Sequence, residues 1–159
     1  SISFAKSLGD FLPMTAERGY NLTIPSPNIQ IDIPIVFADR GIVATSLRSG
    51  LRIGGWAEYT NPRRPANQAY FDSITRISQE LFPGLGVEGA NFWMGSRPSM
   101  PDSLPVISKS RKMNRVFYNC GHGHYGLTHA ATSAKLVCDL LTDDQNLSVS
   151  SLFSINRFI

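Results

Sequence analysis

The densest group of residues that could do chemistry is the stretch GHGHYG, Gly121 to Gly126, which holds two of the three histidines and three of the thirteen glycines. The third histidine, His129, follows shortly after the second. Three imidazoles in this order could hold a zinc ion. The glycines could instead let backbone N–H groups approach a flat or anionic ligand closely, and a tight turn without chemistry is the third interpretation.

The segments on either side of this stretch favour the backbone interpretation. Residues 115–120, RVFYNC, predict a strand buried on both faces, because the run has no polar alternation. A second helix is predicted beyond the loop, with small residues where it approaches a neighbour closely; its stripe is Leu127, Ala131, Ala134, Cys138 and Leu141. Such a helix would direct its unpaired N–H groups and its positive end at the loop, where negative charge would be stabilised.

Zinc binding by His122, His124 and His129 would leave the imidazoles without nearby partners. No Asp or Glu lies between Asp102 and Asp139, whereas histidine ligands usually donate their second N–H group to a carboxylate or carbonyl. A zinc hydrolase that uses these three histidines is therefore the less favoured hypothesis, and a backbone cofactor loop is the favoured one.

The rest of the chain predicts an α+β fold with a mostly antiparallel sheet and two main helices. Four runs rich in β-branched and aromatic residues predict an antiparallel meander; they are GYNLTI, DIPIVFA, GIVATSL and LRIGGWAEY. Residues 66–82 predict an amphipathic helix. Its apolar stripe, expected in the core, consists of Tyr70, Ile74, Ile77 and Leu81.

The second half of the chain contains further elements. A strand is predicted over residues 89–96, and the proline-punctuated passage RPSMPDSLPVI after it is expected to be an ordered connection instead of part of a central sheet. The tail SLFSINRFI is expected to pack back on the body. Cys120 and Cys138 lie in apolar runs, which predicts buried thiols and no disulfide framework.

Composition argues against a nucleic-acid-binding protein and against a membrane-spanning one. The net charge is +3, and the basic residues are scattered, which disfavours a nucleic-acid binder. No apolar run reaches the length of a membrane span, and the first residues, SISFAKSLGD, lack the pattern of a signal peptide. We therefore expect a cytoplasmic protein or a piece of a larger one.

The stretch GSRPSMPDSLPVI followed by RVFYNCGHGHYGLTHAATSAKLVCDLL resembles the C-terminal signature of the FAD-dependent D-amino-acid oxidase superfamily, in particular the small subunit of the bacterial D-amino-acid dehydrogenases. RGYNLTIP, LRIGGWAEYT and FSINRF are similar to other segments of that family, in the same order. The resemblance covers nearly the whole chain, but the G-x-G-x-x-G turn with which such enzymes begin is missing.

The resemblance therefore implies the C-terminal portion of a flavoenzyme whose N-terminal dinucleotide-binding half is absent. Residues 1–88 would form a substrate-binding sheet with its flanking helix. Residues 89–159 would return to the FAD domain through the Arg-Pro segment, a strand, the Gly-His loop, a helix and the tail. The chain alone is expected to be inactive and not to retain FAD.

The resemblance also implies roles for individual residues. Arg97 would hold the carboxylate of the substrate with its planar guanidinium, and His124 stands where glycine-oxidising relatives have a second substrate-binding arginine. No side chain is expected to act as a catalytic acid or base. The loop would contact the flavin through Gly121, His122, Gly123, His124, Tyr125, Gly126, Leu127 and Thr128.

The implied reaction is oxidation of a D-amino acid by hydride transfer to flavin, followed by hydrolysis to a 2-oxo acid and ammonia. The electrons would pass to a quinone or another acceptor. The enzyme would lie in the cytoplasm or on the inner face of the bacterial membrane. Two alternatives remain open at this point: a glycine- or sarcosine-type amine oxidase fragment, and an isolated domain without catalysis.

Overall fold

A computed structural model describes residues 1–142 and 151–158. The described chain has the predicted α+β fold, with three α-helices and two sheets. The elements are α1 (Ile2–Ser7), β1 (Thr15–Ile24), β2 (Ile35–Phe37), β3 (Ile42–Leu47), β4 (Gly50–Thr60), α2 (Gln68–Leu81), β5 (Asn91–Ser99), β6 (Val106–Lys109), β7 (Phe117–Cys120) and α3 (Ala130–Leu141), with 3-10 turns at Gly123–Tyr125 and Ile155–Phe158. Two compact units are present: residues 18–96, and residues 1–17 together with 97–159.

The larger sheet has the strand order β2-β3-β4-β1-β5. β2, β3 and β4 form the expected antiparallel meander, with Phe37 opposite Ile42 and Ala44 opposite Ile53. The prediction was wrong for β1, which does not neighbour β2 but lies between β4 and β5. Six consecutive residues of β1, Glu17 to Leu22, are buried, which is typical of a strand inside a sheet and not at its edge.

The predicted helix over residues 66–82 is confirmed as α2. Asn67 caps it by accepting a hydrogen bond from the N–H group of Ala69 at 3.1 Å. Ile74 and Ile77 are buried in the core of residues 18–96, and Tyr70 and Leu81 pack against that core. The apolar stripe of α2 is thus covered, as the sequence predicted.

The proline-punctuated passage differs from the prediction, because it contributes to two strands. β5 continues through Pro98 to Ser99, and Val106–Lys109 form β6, which pairs with β7 in a two-stranded antiparallel sheet. Proline is tolerated in β5 because this strand lies at the edge of its sheet.

The prediction that the strand before the loop is buried on both faces was wrong. Tyr118 is buried and Asn119 is exposed, because a two-stranded sheet has only one face against the core. The tail does pack back: Ile155 is buried, and its N–H group donates to Ser108 Oγ at 3.0 Å.

The largest departure concerns the apolar stripe that begins at Leu127. Every member of that stripe is exposed, and Ser133 is the buried residue of α3. Both cysteines are free, but Cys138 is exposed and Cys120 half-buried, so the prediction of two buried thiols was wrong. Among the described helices, none is long and apolar enough to span a membrane.

Candidate functional site

The glycine-histidine loop packs against the end of β5. His122 forms an isolated antiparallel bridge with Ser99, and the N–H group of Tyr125 donates to the carbonyl oxygen of His122 at 3.0 Å. Gly121 and Gly123 both have positive φ angles, +81° and +52°. These two glycines give the loop a backbone conformation that other residues rarely adopt, so the loop can turn sharply here.

The glycines also make room for β5. A Cβ atom at Gly121 would lie 2.5 Å from Cγ of Met100, and one at Gly123 would lie 3.2 Å from Oγ of Ser99. Part of the reason for glycine in this loop is therefore packing against its own chain, in addition to any approach of a ligand.

The three histidines have different partners. Nε2 of His122 lies 3.0 Å from Oγ of Ser133, Nε2 of His124 is hydrogen-bonded to Oε1 of Glu17, and the ring of His129 stacks on Tyr125 with centroids 5.4 Å apart. The described residues contain no group of three or more His, Cys, Asp or Glu side chains that could hold a metal ion. The zinc hypothesis gains no support from this arrangement.

Ser133 fixes the orientation of the His122 ring. Its hydroxyl donates to the carbonyl oxygen of His129 at 2.7 Å, so it must accept the hydrogen bond from Nε2–H of His122. Burial lowers the pKa of His122, and the nearby charge of His129 lowers it further. The ring of His122 is therefore a neutral donor that ties the loop to α3.

Glu17 is a buried carboxylate beside the loop. Its Oε2 accepts a hydrogen bond from Oγ of Ser99 at 2.6 Å, and its Oε1 is bound to the His124 ring. Burial alone would raise its pKa. The hydrogen bonds from Ser99 and His124, together with the charge of Arg97, outweigh burial and hold the pKa of Glu17 below its usual value.

Arg97 has a guanidinium without partners. Its Nη1 atom is buried and has no hydrogen bond, and none of the side-chain hydrogen bonds or ion pairs found among the described residues includes the guanidinium of Arg97. Arg18 also has an unpaired Nη1, but its Nη2 donates to the carbonyl oxygen of Pro65 at 2.8 Å and its Nε lies 3.5 Å from Glu58. Because buried polar groups are normally paired, Arg97 is the better candidate for binding an anion.

Two of the sequence-predicted site residues act on the same carboxylate: the His124 ring is hydrogen-bonded to Glu17, and the charge of Arg97 lowers the pKa of Glu17. The remaining predicted residues, Gly121 to Thr128, form the loop itself. The N–H groups of Leu127 and Thr128 donate to no other residue in the described part of the chain. Such free donors beside small glycines suit the polar edge of a flat cofactor.

Sequence reasoning missed Glu17, Ser99 and Ser133. A signal for Glu17 existed: it immediately precedes RGYNLTIP, and strand alternation places it on the face opposite Tyr20 and Leu22. A carboxylate within a buried strand needs hydrogen-bond donors, so it could have been a candidate partner for a histidine.

Comparisons with known proteins bear on this site. Residues 2–140 match the DAO family, described as FAD dependent oxidoreductase. The chain is 33% identical over 157 residues to a D-amino-acid oxidase of Bradyrhizobium diazoefficiens, covering 96% of this chain and 37% of the relative. It is 34% identical over 153 residues to a D-amino acid dehydrogenase of Rhizobium rhizogenes, covering 91% of this chain and 36% of the relative.

Solved structures show the same fold. Glycine oxidase from Geobacillus kaustophilus matches with a TM-score of 0.76 at 21% identity, over 98% of this chain and 42% of that one. L-proline dehydrogenase from P. horikoshii matches with a TM-score of 0.74 at 18% identity, over 96% of this chain and 42% of that one. The chain thus spans well under half the length of the proteins that it resembles.

Proposed function

Since this chain belongs to the DAO family of FAD dependent oxidoreductases, we propose that it is the substrate-holding part of a flavoenzyme that oxidatively deaminates D-amino acids to 2-oxo acids and ammonia. The names of the two relatives at 33% and 34% identity support this substrate class. Because the chain corresponds to just over a third of their length, the activity is proposed for the complete natural protein that contains this chain.

The observation that carries the proposal is the unpaired guanidinium of Arg97. A planar guanidinium can make two parallel hydrogen bonds to a carboxylate, and this both binds and orients an amino acid. The buried Nη1 atom lacks a partner in the described chain, so a substrate carboxylate would satisfy it. The charge of Arg97 already acts on the buried carboxylate of Glu17.

The loop from Gly121 to Thr128 is proposed to contact the cofactor. FAD, when bound, supplies the chemistry of the reaction by accepting a hydride from the substrate. The free N–H groups of Leu127 and Thr128 would hold a polar edge of the ring system, and Gly121 and Gly123 leave the approach open because they have no side chains. His122 supports the loop through Ser133.

The exposed stripe along α3 is evidence that another part of the protein covers this surface. Leu127, which precedes α3, is 92% exposed, and the members of the stripe within α3, Ala131, Ala134, Cys138 and Leu141, are exposed as well. Isolated exposed apolar residues are ordinary, but a continuous helical stripe indicates a surface that another body covers. We propose that the covering body is the dinucleotide-binding part of the complete enzyme, with residues 89–159 as the segment that returns to it.

The test uses Arg97→Ala and Arg97→Lys in the complete natural protein. Loss of the guanidinium should raise KM for D-amino acids, with a cost of roughly 2–5 kcal/mol because one partner of a buried charged pair is removed. Lysine should restore only part of the binding, since it cannot form two parallel hydrogen bonds. The protein should keep its FAD content, measured by absorbance, because Arg97 is assigned to the substrate.

The control is Arg115→Ala, which removes an exposed arginine of the same unit and should leave KM unchanged. A further measurement compares D-alanine with ethylamine, which lacks the carboxylate. The wild type should strongly prefer D-alanine, and Arg97→Ala should lose most of that preference. An unchanged preference in Arg97→Ala would contradict the carboxylate role.

A further inference from the structure

The exposed ring of His124 is anchored to a buried carboxylate. The side chain of His124 is 52% exposed, whereas that of Glu17 is 8% exposed. Ser99 holds the other oxygen of this carboxylate at 2.6 Å and is itself buried. The imidazole therefore faces outward while its far side is fixed by a group that cannot move freely.

The hydrogen bonds determine which nitrogen of His124 carries the proton. The pKa of Glu17 lies below its usual value, so at neutral pH the carboxylate is ionised and can only accept hydrogen bonds. Nε2 of His124 must then be the donor. In the neutral ring this leaves a lone pair on Nδ1, and in the described parts of the chain no hydrogen bond to Nδ1 is present.

A free lone pair beside an amino-acid site has a chemical use. An amino acid in neutral water carries an ammonium group, but its nitrogen needs a lone pair to form the C=N bond as the α-hydrogen leaves. A proton must therefore be removed before oxidation. A half-exposed imidazole backed by a carboxylate is suited to accept it, because the carboxylate stabilises the imidazolium that forms.

We propose that Glu17 and His124 act together as the proton acceptor for the ammonium group of the substrate, an inference that rests on the proposed function. In this step an N–H bond of the ammonium breaks and an H–Nδ1 bond of His124 forms, and no electrons are exchanged between substrate and protein. The proton then passes to water from the exposed ring. Glu17 keeps its negative charge throughout.

The charges around the pair fit a zwitterion. The groups that act on Glu17 are Ser99 and Arg97 from β5 and His124 from the loop. Arg97 supplies positive charge for the carboxylate of the substrate, and the Glu17–His124 pair supplies negative charge and a lone pair for the ammonium. His122 and His129 have their own partners, Ser133 and Tyr125, and so do not compete for Glu17.

The first experiment measures the tautomer of His124 in the complete natural protein by ¹⁵N NMR of the imidazole. The wild type should show the Nε2–H tautomer, and Glu17→Gln should lose that preference. Glu88→Gln, which neutralises an exposed carboxylate, serves as the control and should leave the ring signals unchanged. An Nδ1–H tautomer in the wild type would overturn the proposal.

The second experiment measures kcat/KM against pH in the complete natural protein. Glu17→Gln and His124→Ala should each lower kcat/KM for a D-amino acid by about a hundredfold or more at neutral pH, the lower end of the range for a general base. The deficit should close at alkaline pH, where the substrate amine is already neutral in solution. Glu17→Asp should recover part of the activity because the carboxylate returns.

The outcomes separate this inference from the proposed function. If the wild type oxidises D-amino acids but both variants lose the same factor at every pH, the two residues bind substrate without accepting its proton, and only the inference fails. If the wild type oxidises no amino acid, the proposed function fails as well. His124→Ala keeps the test valid if Glu17→Gln does not fold, because the ring of His124 is half exposed.

Discussion

The two long helices come from the same kind of sequence pattern but have opposite surroundings. Both were predicted from apolar or small residues at spacings of three and four. In α2 that stripe is buried, with Ile74 fully covered and Ile77 5% exposed. In α3 the stripe faces solvent, and Leu141 is 60% exposed.

A periodic stripe therefore identifies a helix and one of its faces, but it does not identify what covers that face. The partner of α2 is the sheet within the same unit, where Ile74 packs among residues such as Leu22 and Ile53. The buried side chain of α3 is the polar Ser133, whose hydroxyl connects to His122 and His129. Within the described chain, α2 stabilises the core of residues 18–96, and α3 holds the glycine-histidine loop in place.

Truncating one residue of each helix tests this contrast, and it should give the largest change in the free energy of unfolding. Ile74→Ala should lower the free energy of unfolding by about 2–5 kcal/mol, because it removes buried methyl groups and leaves a cavity. Leu141→Ala should change it by about 0.5 kcal/mol or less, as is usual for surface positions. Urea denaturation of the 159-residue chain measures both.

Equal losses in the two variants would contradict the contrast, since they would mean that the α3 stripe is covered within this chain. In the complete natural protein, the proposed covering of α3 should make Leu141→Ala more costly than in the isolated chain. A larger Leu141→Ala loss in the complete protein than in the 159-residue chain would therefore measure how strongly the α3 stripe is covered there.

Much of the fold was predictable because its signals are local. The helix predicted over residues 66–82 begins at Gln68 and ends at Leu81, since a breaker-rich segment precedes it and Pro83-Gly84 follows it. The place of β1 was not predictable in this way. Its position between β4 and β5 depends on a strand far along the chain, and no local pattern specifies such a pairing.

The same limit applies to the candidate site. The loop was recognisable from GHGHYG, and Arg97 from a resemblance, but their contacts are long-range. Glu17 is separated from Ser99 by 82 positions and from His124 by 107. No Asp or Glu lies close to the histidines along the sequence, and the carboxylate that the fold supplies comes from near the other end of the chain.

A second prediction compares two glycines with nearly the same backbone angle. Gly121 in the loop has φ of +81° and Gly84 after α2 has φ of +83°. A Cβ atom at Gly84 would meet no heavy atom within 4 Å, whereas one at Gly121 would meet Met100. Gly84→Ala should cost about 1–2 kcal/mol for the backbone conformation alone, and Gly121→Ala about 2–4 kcal/mol because overpacking adds to it.

The excess loss at Gly121 should shrink when Met100→Ala is added, because the clashing side chain is then gone. Chemical denaturation of the single and double variants measures this coupling. Equal losses for Gly84→Ala and Gly121→Ala would mean that the loop yields freely, and its glycines would then be explained by a ligand and not by packing on β5.

The smallest effect concerns Asp10, a buried carboxylate in the same unit as the loop. It accepts hydrogen bonds from Ser110 Oγ, from Tyr118 Oη at 2.8 Å and from the N–H group of Arg111 at 3.2 Å. Burial opposes ionisation, but these donors outweigh it and lower the pKa of Asp10. Burial and the Asp10 charge in turn raise the pKa of Tyr118 to about 12.

Asp10→Asn should lower the free energy of unfolding by about 1–3 kcal/mol at neutral pH, since an amide cannot accept all of these hydrogen bonds. Because the folded-state pKa lies below the ordinary value of 3.8, the stabilisation by Asp10 is present above that pH and is lost as the pH falls through the folded-state pKa. The free energies of unfolding of the variant and the wild type should therefore converge in acid when urea denaturation is repeated at decreasing pH.

Asp39→Asn, at a side chain 77% exposed, is the control and should follow the wild type at every pH. A deficit in Asp10→Asn that stayed constant down to strongly acidic pH would mean that the shape of the side chain, and not its charge, holds the segment beside β6.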